Sequence, residues 1–382
     1  MGAQRLSGLH ASVLPFQMPL LDPSHPPTSI LVVRLSSRGD VVFATSMIPA
    51  LRRVYPDARI TWVVEEESKG VVLGHPRLSR VVVMPRTAWR RALRSGRVLR
   101  AVQGFRAFMR ELRAEEYDLV LDVQGILRSG LVARLSGAKR RIGLGSKEGS
   151  GALMHEVVES EGHGYDRVCG EYYHFAHELG LAPDDFAMDV ALPHDTRRSA
   201  CEHLDRAGLV RGRFVVLVPF TTRPQKHWFE DRWADLAGRI AHDLGLPVAI
   251  LGGPDDRVAM DRIIAASNTE LHDLVGTTSL GEAAAIVGQA TAVVGVDTGL
   301  THMAIAAQRP VVALFGSTLP YLETPESVSR ILHHPIHCSP CRKNPTCGGD
   351  WTCMRALDLA QVTQALHEVL VESGGTVSEA EA

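Results

Sequence analysis

Short apolar runs, separated by segments of helical period, set the plan of this chain. Residues 30–35 (ILVVRL) form a run of strand length that ends in a Ser-rich turn containing Gly39. From residue 41 to about 54 the apolar positions recur with helical period, and Pro56 stops them. A second run follows at 60–64, so the opening unit is strand, helix, strand, as in a parallel sheet. Further runs at 81–84 and 119–122 continue the series. These runs are apolar throughout rather than alternating, which suits a sheet covered on both faces.

The alternation pauses between about 181 and 213, around Pro183, Asp184, Asp185 and Pro193. It resumes with runs at 214–218, 247–251, 271–275, 292–296 and 311–315. The pattern predicts an α/β chain of two Rossmann-like halves, 28–190 and 191–372, each a doubly wound parallel sheet, facing a cleft. Ligands of such sheets bind at the carboxyl ends of the strands, so those loops are where chemistry is sought. Residues 1–27 are Pro-rich and irregular and are expected to be a disordered extension, or to precede a true start at Met18. Pro15, Gln17 and Pro19 interrupt any apolar core there, against a secretory signal. Residues 373–382 are expected to be a tail.

Composition narrows the function classes. The 382 residues suit two domains at a prior of roughly 150 residues each. With 45% hydrophobic and 22% charged residues, the chain is neither disordered nor fibrous. A net charge of −2 and an aromatic content of 5% argue against a globally basic nucleic-acid binder and against stacking platforms for single strands. No apolar run approaches the roughly 20 residues that span a bilayer. The longest, 283–296, is interrupted by Gln289 and Thr291 and reads as a buried helix followed by a buried strand. The cytosol, where thiols stay reduced, is the expected compartment.

Three strand ends carry candidate chemistry. Ser36-Ser37-Arg38-Gly39-Asp40 closes the first strand, and Asp40 is either a helix N-cap or a general base facing the cleft. This turn is not G-x-G-x-x-G, and no G-x-x-x-x-G-K-[ST] occurs, so a dinucleotide fold and a P-loop are disfavoured. The first strand of the second half ends in Thr221-Thr222-Arg223-Pro224-Gln225-Lys226, whose hydroxyls and cations suit a diphosphate, or are simply solvated. The run at 292–296 leads into Asp297-Thr298-Gly299-Leu300-Thr301-His302, where a helix N-terminus offers free N–H groups to phosphate. Asp297 or Thr298 merely capping that helix is the plain alternative, and a lone His302 is more often packed than catalytic.

Two further features stand apart. Residues 86–113 hold nine arginines and one acid, Glu111. They form either a solvated helix face or a surface for anionic groups, lipid included, and Trp89 would suit a membrane interface. Cys338, Cys341, Cys347 and Cys353 have a spacing compatible with a structural zinc or iron site, with His337 as a spare ligand, or form a thiol-rich loop without an ion. Cys169 and Cys201 read as ordinary core residues.

The segments TSILVVRLSSRGD (28–40), TWVVEE (61–66), YDLVLDVQG (117–125), TTRPQKHW (221–228), VDTGLTH (296–302) and LFGSTLP (314–320) together resemble the bacterial lipopolysaccharide heptosyltransferases, inverting glycosyltransferases of GT-B architecture. The resemblance runs from residue 30 to about 370. It implies an acceptor-binding first half and a nucleotide-sugar-binding second half. It implies Asp40 as base, Lys226 as the charge that stabilises the leaving diphosphate, and no cofactor for catalysis. Thr221, Thr222, Asp297, Thr298, Gly299, Leu300 and His302 would meet an ADP-sugar donor. Ser37, Arg38, Gly39, Arg90, Arg91, Arg94 and Gln124 would meet an anionic glycolipid acceptor at the inner face of the cytoplasmic membrane. WVVEE and TTRPQKHW look most like the branch that heptosylates the Kdo (3-deoxy-octulosonate) of lipid A. The cysteine spacing looks more like branches that act on a heptosylated core or a protein. A sugar-nucleotide epimerase and a silent binding protein of the same fold are the rival readings.

Overall fold

Two six-stranded parallel sheets carry the chain in the computed structural model, which describes residues 20, 21, 24–160, 166–181, 186–325, 327–341 and 344–374. The first sheet holds β1 (Ser29–Val33), β2 (Arg59–Glu65), β3 (Arg80–Met84), β4 (Leu119–Asp122), β5 (Arg140–Leu144) and β6 (Glu156–Val158), in the order β3-β2-β1-β4-β5-β6. The second holds β7 (Val215–Val218), β8 (Val248–Ile250), β9 (Leu271–Asp273), β10 (Ala292–Val296), β11 (Val311–Phe315) and β12 (Ser329–His333), in the order β12-β11-β10-β7-β8-β9. Strand order therefore reverses beside β1 and β4 in one sheet and beside β7 and β10 in the other. A ligand crevice opens at such a switch point, beyond the carboxyl ends of those strands.

Helices cover both faces of each sheet. The first half carries α1 (Arg38–Ala44), α2 (Met47–Val54), α3 (Arg86–Arg94), α4 (Val98–Leu112), α5 (Leu127–Leu135) and α6 (Gly170–Glu178). The second carries α7 (His194–Arg206), α8 (Glu230–Leu244), α9 (Arg257–Ala266), α10 (Leu280–Val287), α11 (Gly299–Ala306), α12 (Thr352–Arg355) and α13 (Leu359–Glu372). Successive strand residues point to opposite faces. Ile30 and Val32, like Val216 and Val218, enter one core shared by the two halves. Leu31 and Val33 enter a separate core of the first sheet, and Val215 and Leu217 one of the second.

The expected fold class is the one found, with local corrections. The helix read over 41–54 is two helices: Pro49, in the first turn of α2, has no N–H for the Thr45 carbonyl, and the Thr45 and Ser46 hydroxyls donate back to Val42 O (2.6 Å) and Phe43 O (2.7 Å). β5, β6 and β12 lie outside the sequence runs. The expected pause contains α7, which packs on α10 through Ser199 and Glu282. Residues 20 and 21, assigned to a disordered extension, are ordered: Leu21 is buried, and Leu20 N donates to Glu178 O at 3.0 Å. Residues 1–19 and 375–382 lie outside the described residues. Cys169 is buried as expected, whereas Cys201 is half-buried, its thiol 3.6 Å from Gln289 Oε1.

Asp122, the last residue of β4, is fully buried. Its carboxylate accepts the N–H groups of Gln124 (3.1 Å) and Gly125 (3.3 Å) and the Ser129 hydroxyl (2.9 Å). Burial pushes its carboxyl up to about 6 against these bonds. A raised acid means that the fold favours the protonated form, so stability should fall as pH rises from about 4 to about 6 and stay lower above that, by roughly 3 kcal/mol. Asp122→Asn removes the charge, keeps an oxygen for the Gln124 and Gly125 N–H groups, and reverses the third bond so that its amide donates to Ser129 Oγ. Denaturant unfolding should show this variant gaining on the native protein at neutral pH relative to about pH 4; an equal difference at both pH values would contradict the assignment.

Candidate active site

The turn after β1 is organised around one carboxylate oxygen. Ser37 caps α1 and donates to Asp40 Oδ2 through its N–H (3.2 Å) and its hydroxyl (2.9 Å). Asp40 is therefore the third helical residue and not the N-cap that sequence position suggested. Arg34 Nη2 lies 3.0 Å from the same Oδ2, while Nη1 donates to Val123 O at 2.8 Å. The guanidinium is 5.8 Å from the centre of the Tyr172 ring, and the Tyr172 hydroxyl donates to the Asp40 carbonyl at 3.3 Å. All these side-chain contacts fall on Oδ2. Oδ1 has no hydrogen-bond partner among the described residues, and the Asp40 side chain is 47% exposed. Burial raises the Asp40 carboxyl, but the Arg34 charge and the Ser37 bonds outweigh it and hold the group below its ordinary value.

Neighbouring residues hold that turn in place. Gln124 Oε1 accepts from Leu35 N at 2.9 Å, and its amide nitrogen is 3.5 Å from Ser36 Oγ. Arg128 Nη2 reaches Ser36 Oγ at 3.3 Å. Its Nε and that of Arg86 flank the buried Glu65 Oε1 at 3.1 and 2.9 Å. Arg38 Nε donates to Glu67 O at 3.0 Å. Arg90, Arg91 and Arg94 lie on α3, exposed, with no ion pair to a described carboxylate.

In the second half the charges converge on Asp297, just beyond β10. Lys226 Nζ pairs with Asp297 Oδ2, and the Thr318 hydroxyl donates to the same oxygen. His302 Nε2 is 3.1 Å from Oδ1, and His302 Nδ1 is 2.9 Å from the Tyr321 hydroxyl. Burial alone would raise Asp297; the His302 bond and the Lys226 charge drive it far below the usual carboxylate range. Both carboxylate oxygens are thus engaged within the protein. Thr298 is the N-cap of α11, and its side chain makes no capping hydrogen bond to the first-turn N–H groups around Gly299 and Leu300. Thr221 contributes its carbonyl, which meets His227 Nε2 at 2.7 Å, and Thr222 is exposed on the same loop.

The two loops meet across the cleft. A Cβ on Gly39 would lie 3.0 Å from His302 Cδ2, and one on Gly299 would lie 3.2 Å from Arg38 Cβ. Phe43 sits on His302, their ring centres 4.4 Å apart. Asp297 is near enough for its charge to oppose ionisation of Asp40. The turn that carries Asp40, with one unclaimed carboxylate oxygen, therefore lies against His302 of the Lys226–Asp297 cluster and the start of α11, an arrangement suited to deprotonating a nucleophile while a diphosphate departs.

The cysteine loop is elsewhere. Cys338, Cys341 and Cys347 are half-buried and Cys353 is buried, all as free thiols, and His337 is exposed. Burial and neighbouring thiols push Cys341 and Cys353 up. Among the described residues no group of three or more His, Cys, Asp or Glu side chains is disposed to hold a metal. Sequence reasoning missed Arg34, Glu65, Arg128, Thr318 and Tyr321. The run of three acids at 65–67 was the one visible signal, since a buried acid at a strand end needs a cation.

Comparison with known proteins now decides the class. A family profile described as "Glycosyltransferase family 9 (heptosyltransferase)" matches residues 105–351. The chain belongs to glycosyltransferase family 9. It is 30% identical over 301 residues to lipopolysaccharide heptosyltransferase 1 of Escherichia coli K12, covering 77% of this chain and 89% of that one. It is 30% identical over 325 residues to lipopolysaccharide heptosyltransferase 1 of Pseudomonas aeruginosa PAO1, covering 83% and 87%. Among solved structures, E. coli heptosyltransferase WaaC with ADP-2-deoxy-2-fluoro heptose superposes with a TM-score of 0.67 and 25% identity over 89% of this chain and 99% of that one. A family 9 glycosyltransferase from Veillonella parvula superposes with a TM-score of 0.75 at 21% identity, over 90% and 97%, and shares the fold. The family 9 chain is a glycosyltransferase with the two-sheet GT-B fold.

For this glycosyltransferase, Arg34 is the residue that keeps the Asp40 carboxylate ionised. In Arg34→Met the carboxyl pKa should rise, so the acidic limb of the kcat/KM profile should move to higher pH. An unmoved limb, with only a lower plateau, would show that Arg34 does not set the ionisation of Asp40.

Proposed function

We propose that the enzyme transfers heptose from ADP-heptose to the Kdo residues of the lipid A inner core, with inversion at the anomeric carbon. The observation that carries this reading is the contact of Gly39 with His302, which brings the Asp40 loop against the Lys226–Asp297 cluster. The 30% identity to two lipopolysaccharide heptosyltransferases 1 supports the donor and the acceptor.

Inversion needs one in-line displacement. The acceptor hydroxyl attacks the anomeric carbon, and its proton passes to Asp40 Oδ1. The bond from that carbon to the diphosphate oxygen breaks, and ADP leaves with the electron pair. The hydroxyl becomes acidic as the new bond forms, so a carboxylate held ionised by Arg34 serves even though it is a weak base. Charge on the leaving diphosphate is met by Lys226 and by the N–H groups at the start of α11, fixed in position before the reaction. Asp297 keeps Lys226 ready, and Thr221 and Thr222 border the same pocket. Arg90, Arg91 and Arg94 meet the carboxylates and phosphates of the acceptor, bidentate where the geometry allows.

The acceptor is a lipid, so the enzyme works as a peripheral protein on the inner face of the cytoplasmic membrane. Among the described residues no helix is long and apolar enough to cross a membrane. The cysteine loop takes no part in the transfer as written.

The test is ADP release from ADP-heptose, with and without Kdo-lipid A. Release should require the acceptor. Asp40→Asn should lower kcat by about 10²- to 10⁴-fold and Lys226→Ala by about 100-fold or more, with donor binding retained in Asp40→Asn. Acceptor-independent consumption of the donor would favour an epimerase, and a loss below about fivefold in Lys226→Ala would remove that lysine from the mechanism.

A further inference from the structure

The arginine-rich segment folds into a helical hairpin, α3 and α4, whose tip is residues 95–97. Trp89 does not face outward as its place in the sequence suggested. It packs edge-on against Phe105 and Phe108, at 5.7 and 5.5 Å between ring centres. It slots beside Gly104, where a Cβ would fall 2.7 Å from the indole nitrogen. These contacts brace the two helices against each other.

What does face outward is aliphatic. Leu99 is 80% exposed and Val98 55%, and Leu93, Val102 and Phe105 extend the same tip. Single exposed apolar residues are ordinary, but five at one protruding end mark an interaction surface. Exposed arginines surround them: 90, 91, 94, 97, 100 and 106, none paired with a described carboxylate. An apolar wedge ringed by unpaired guanidinium groups is complementary to an anionic lipid surface, where the arginines reach phosphates and the aliphatic groups pass between headgroups.

Position adds to the case. α3 starts directly after β3, at the carboxyl edge of the first sheet. Its first residue, Arg86, holds Glu65, which also holds Arg128 and through it the Ser36 turn beside Asp40. Only the carboxyl half of α4 enters the core of that sheet, through Phe108 and Leu112. The nine residues of α3, about 13 Å of helix, separate Arg86 at that edge from the tip, and residues 95–100 at the tip are all exposed.

We propose that this hairpin tip inserts between the headgroups of an anionic phospholipid leaflet and holds the acceptor side of the active site against it. The proposal rests on the glycolipid-acceptor reading for its purpose, but vesicle binding tests it separately.

The experiment is co-sedimentation of the full-length protein with vesicles of phosphatidylcholine and phosphatidylglycerol in equal parts, beside vesicles of phosphatidylcholine alone. The native protein should bind the anionic vesicles and not the zwitterionic ones. The double substitutions Val98→Asp with Leu99→Asp, and Arg97→Glu with Arg100→Glu, should each weaken partitioning about tenfold or more. Both should turn over a water-soluble, deacylated acceptor as the native protein does. Leu99→Trp gives a readout independent of any folding defect: the fluorescence it adds to that of the native protein should be quenched by brominated lipid in the anionic vesicles. Native protein that stays in the supernatant, an acidic tip variant that sediments unchanged, or added fluorescence that brominated lipid leaves unquenched would overturn the proposal, and a protein partner would then be the occupant to seek. Failure of the native protein to act on the soluble acceptor would instead count against the transfer reading and leave the vesicle result standing.

Discussion

The active centre exists because two backbones approach each other where neither carries a side chain. Gly39 faces the ring of His302, and Gly299 faces the first carbon of the Arg38 side chain. A methyl group at either position would be crowded, and the facing side chain would have to give by a few tenths of an ångström. The shared core extends this contact: Phe43 of the first half packs against both His302 and Tyr321 of the second. Neither sheet contains a complete site. Each supplies the loops of its own switch point, and the junction between the halves adds the two sets.

Around the cleft, charge is arranged so that Asp40, Lys226 and Glu65 each have a prior partner. Asp40 is held by Arg34, Lys226 by Asp297, and Glu65 by Arg86 and Arg128. Pairing of this kind fixes side chains before substrate arrives, so little reorganisation is left for the transition state. It also leaves specific atoms unclaimed. Asp40 Oδ1 has no partner among the described residues, and the start of α11 has no side-chain cap. Those unclaimed atoms are the ones the displacement uses.

Much of this was legible in the sequence. Continuous apolar runs gave the buried parallel strands, because β1 and β7 send alternate residues into two different apolar cores and so have no polar face. The loops beyond residues 35, 218 and 296 were identified from strand-end logic, and these are the loops that converge. The break at Thr45–Ser46 leaves the hydrophobic period undisturbed, and its one visible signal was Pro49, four residues beyond Thr45. Arg34 was hidden inside an apolar run, where an arginine reads as a fault in a strand until its carboxylate is seen. Trp89 was misplaced because sequence cannot tell which face of α3 meets α4. The cysteine spacing suggested a ligand set, but it does not show whether the loop turns three sulfurs toward one point.

The central claim is that Asp40 and the Lys226–α11 cluster act on one anomeric carbon. A crystal structure of the enzyme with a non-transferable ADP-sugar and an acceptor fragment tests it directly. The account predicts Lys226 Nζ on a diphosphate oxygen while still paired with Asp297, and Asp40 Oδ1 within about 3 Å of the attacking hydroxyl, on the side of the sugar opposite the diphosphate. A diphosphate bound away from Lys226 and Gly299, or an attacking hydroxyl beyond hydrogen-bond reach of Asp40, would contradict it.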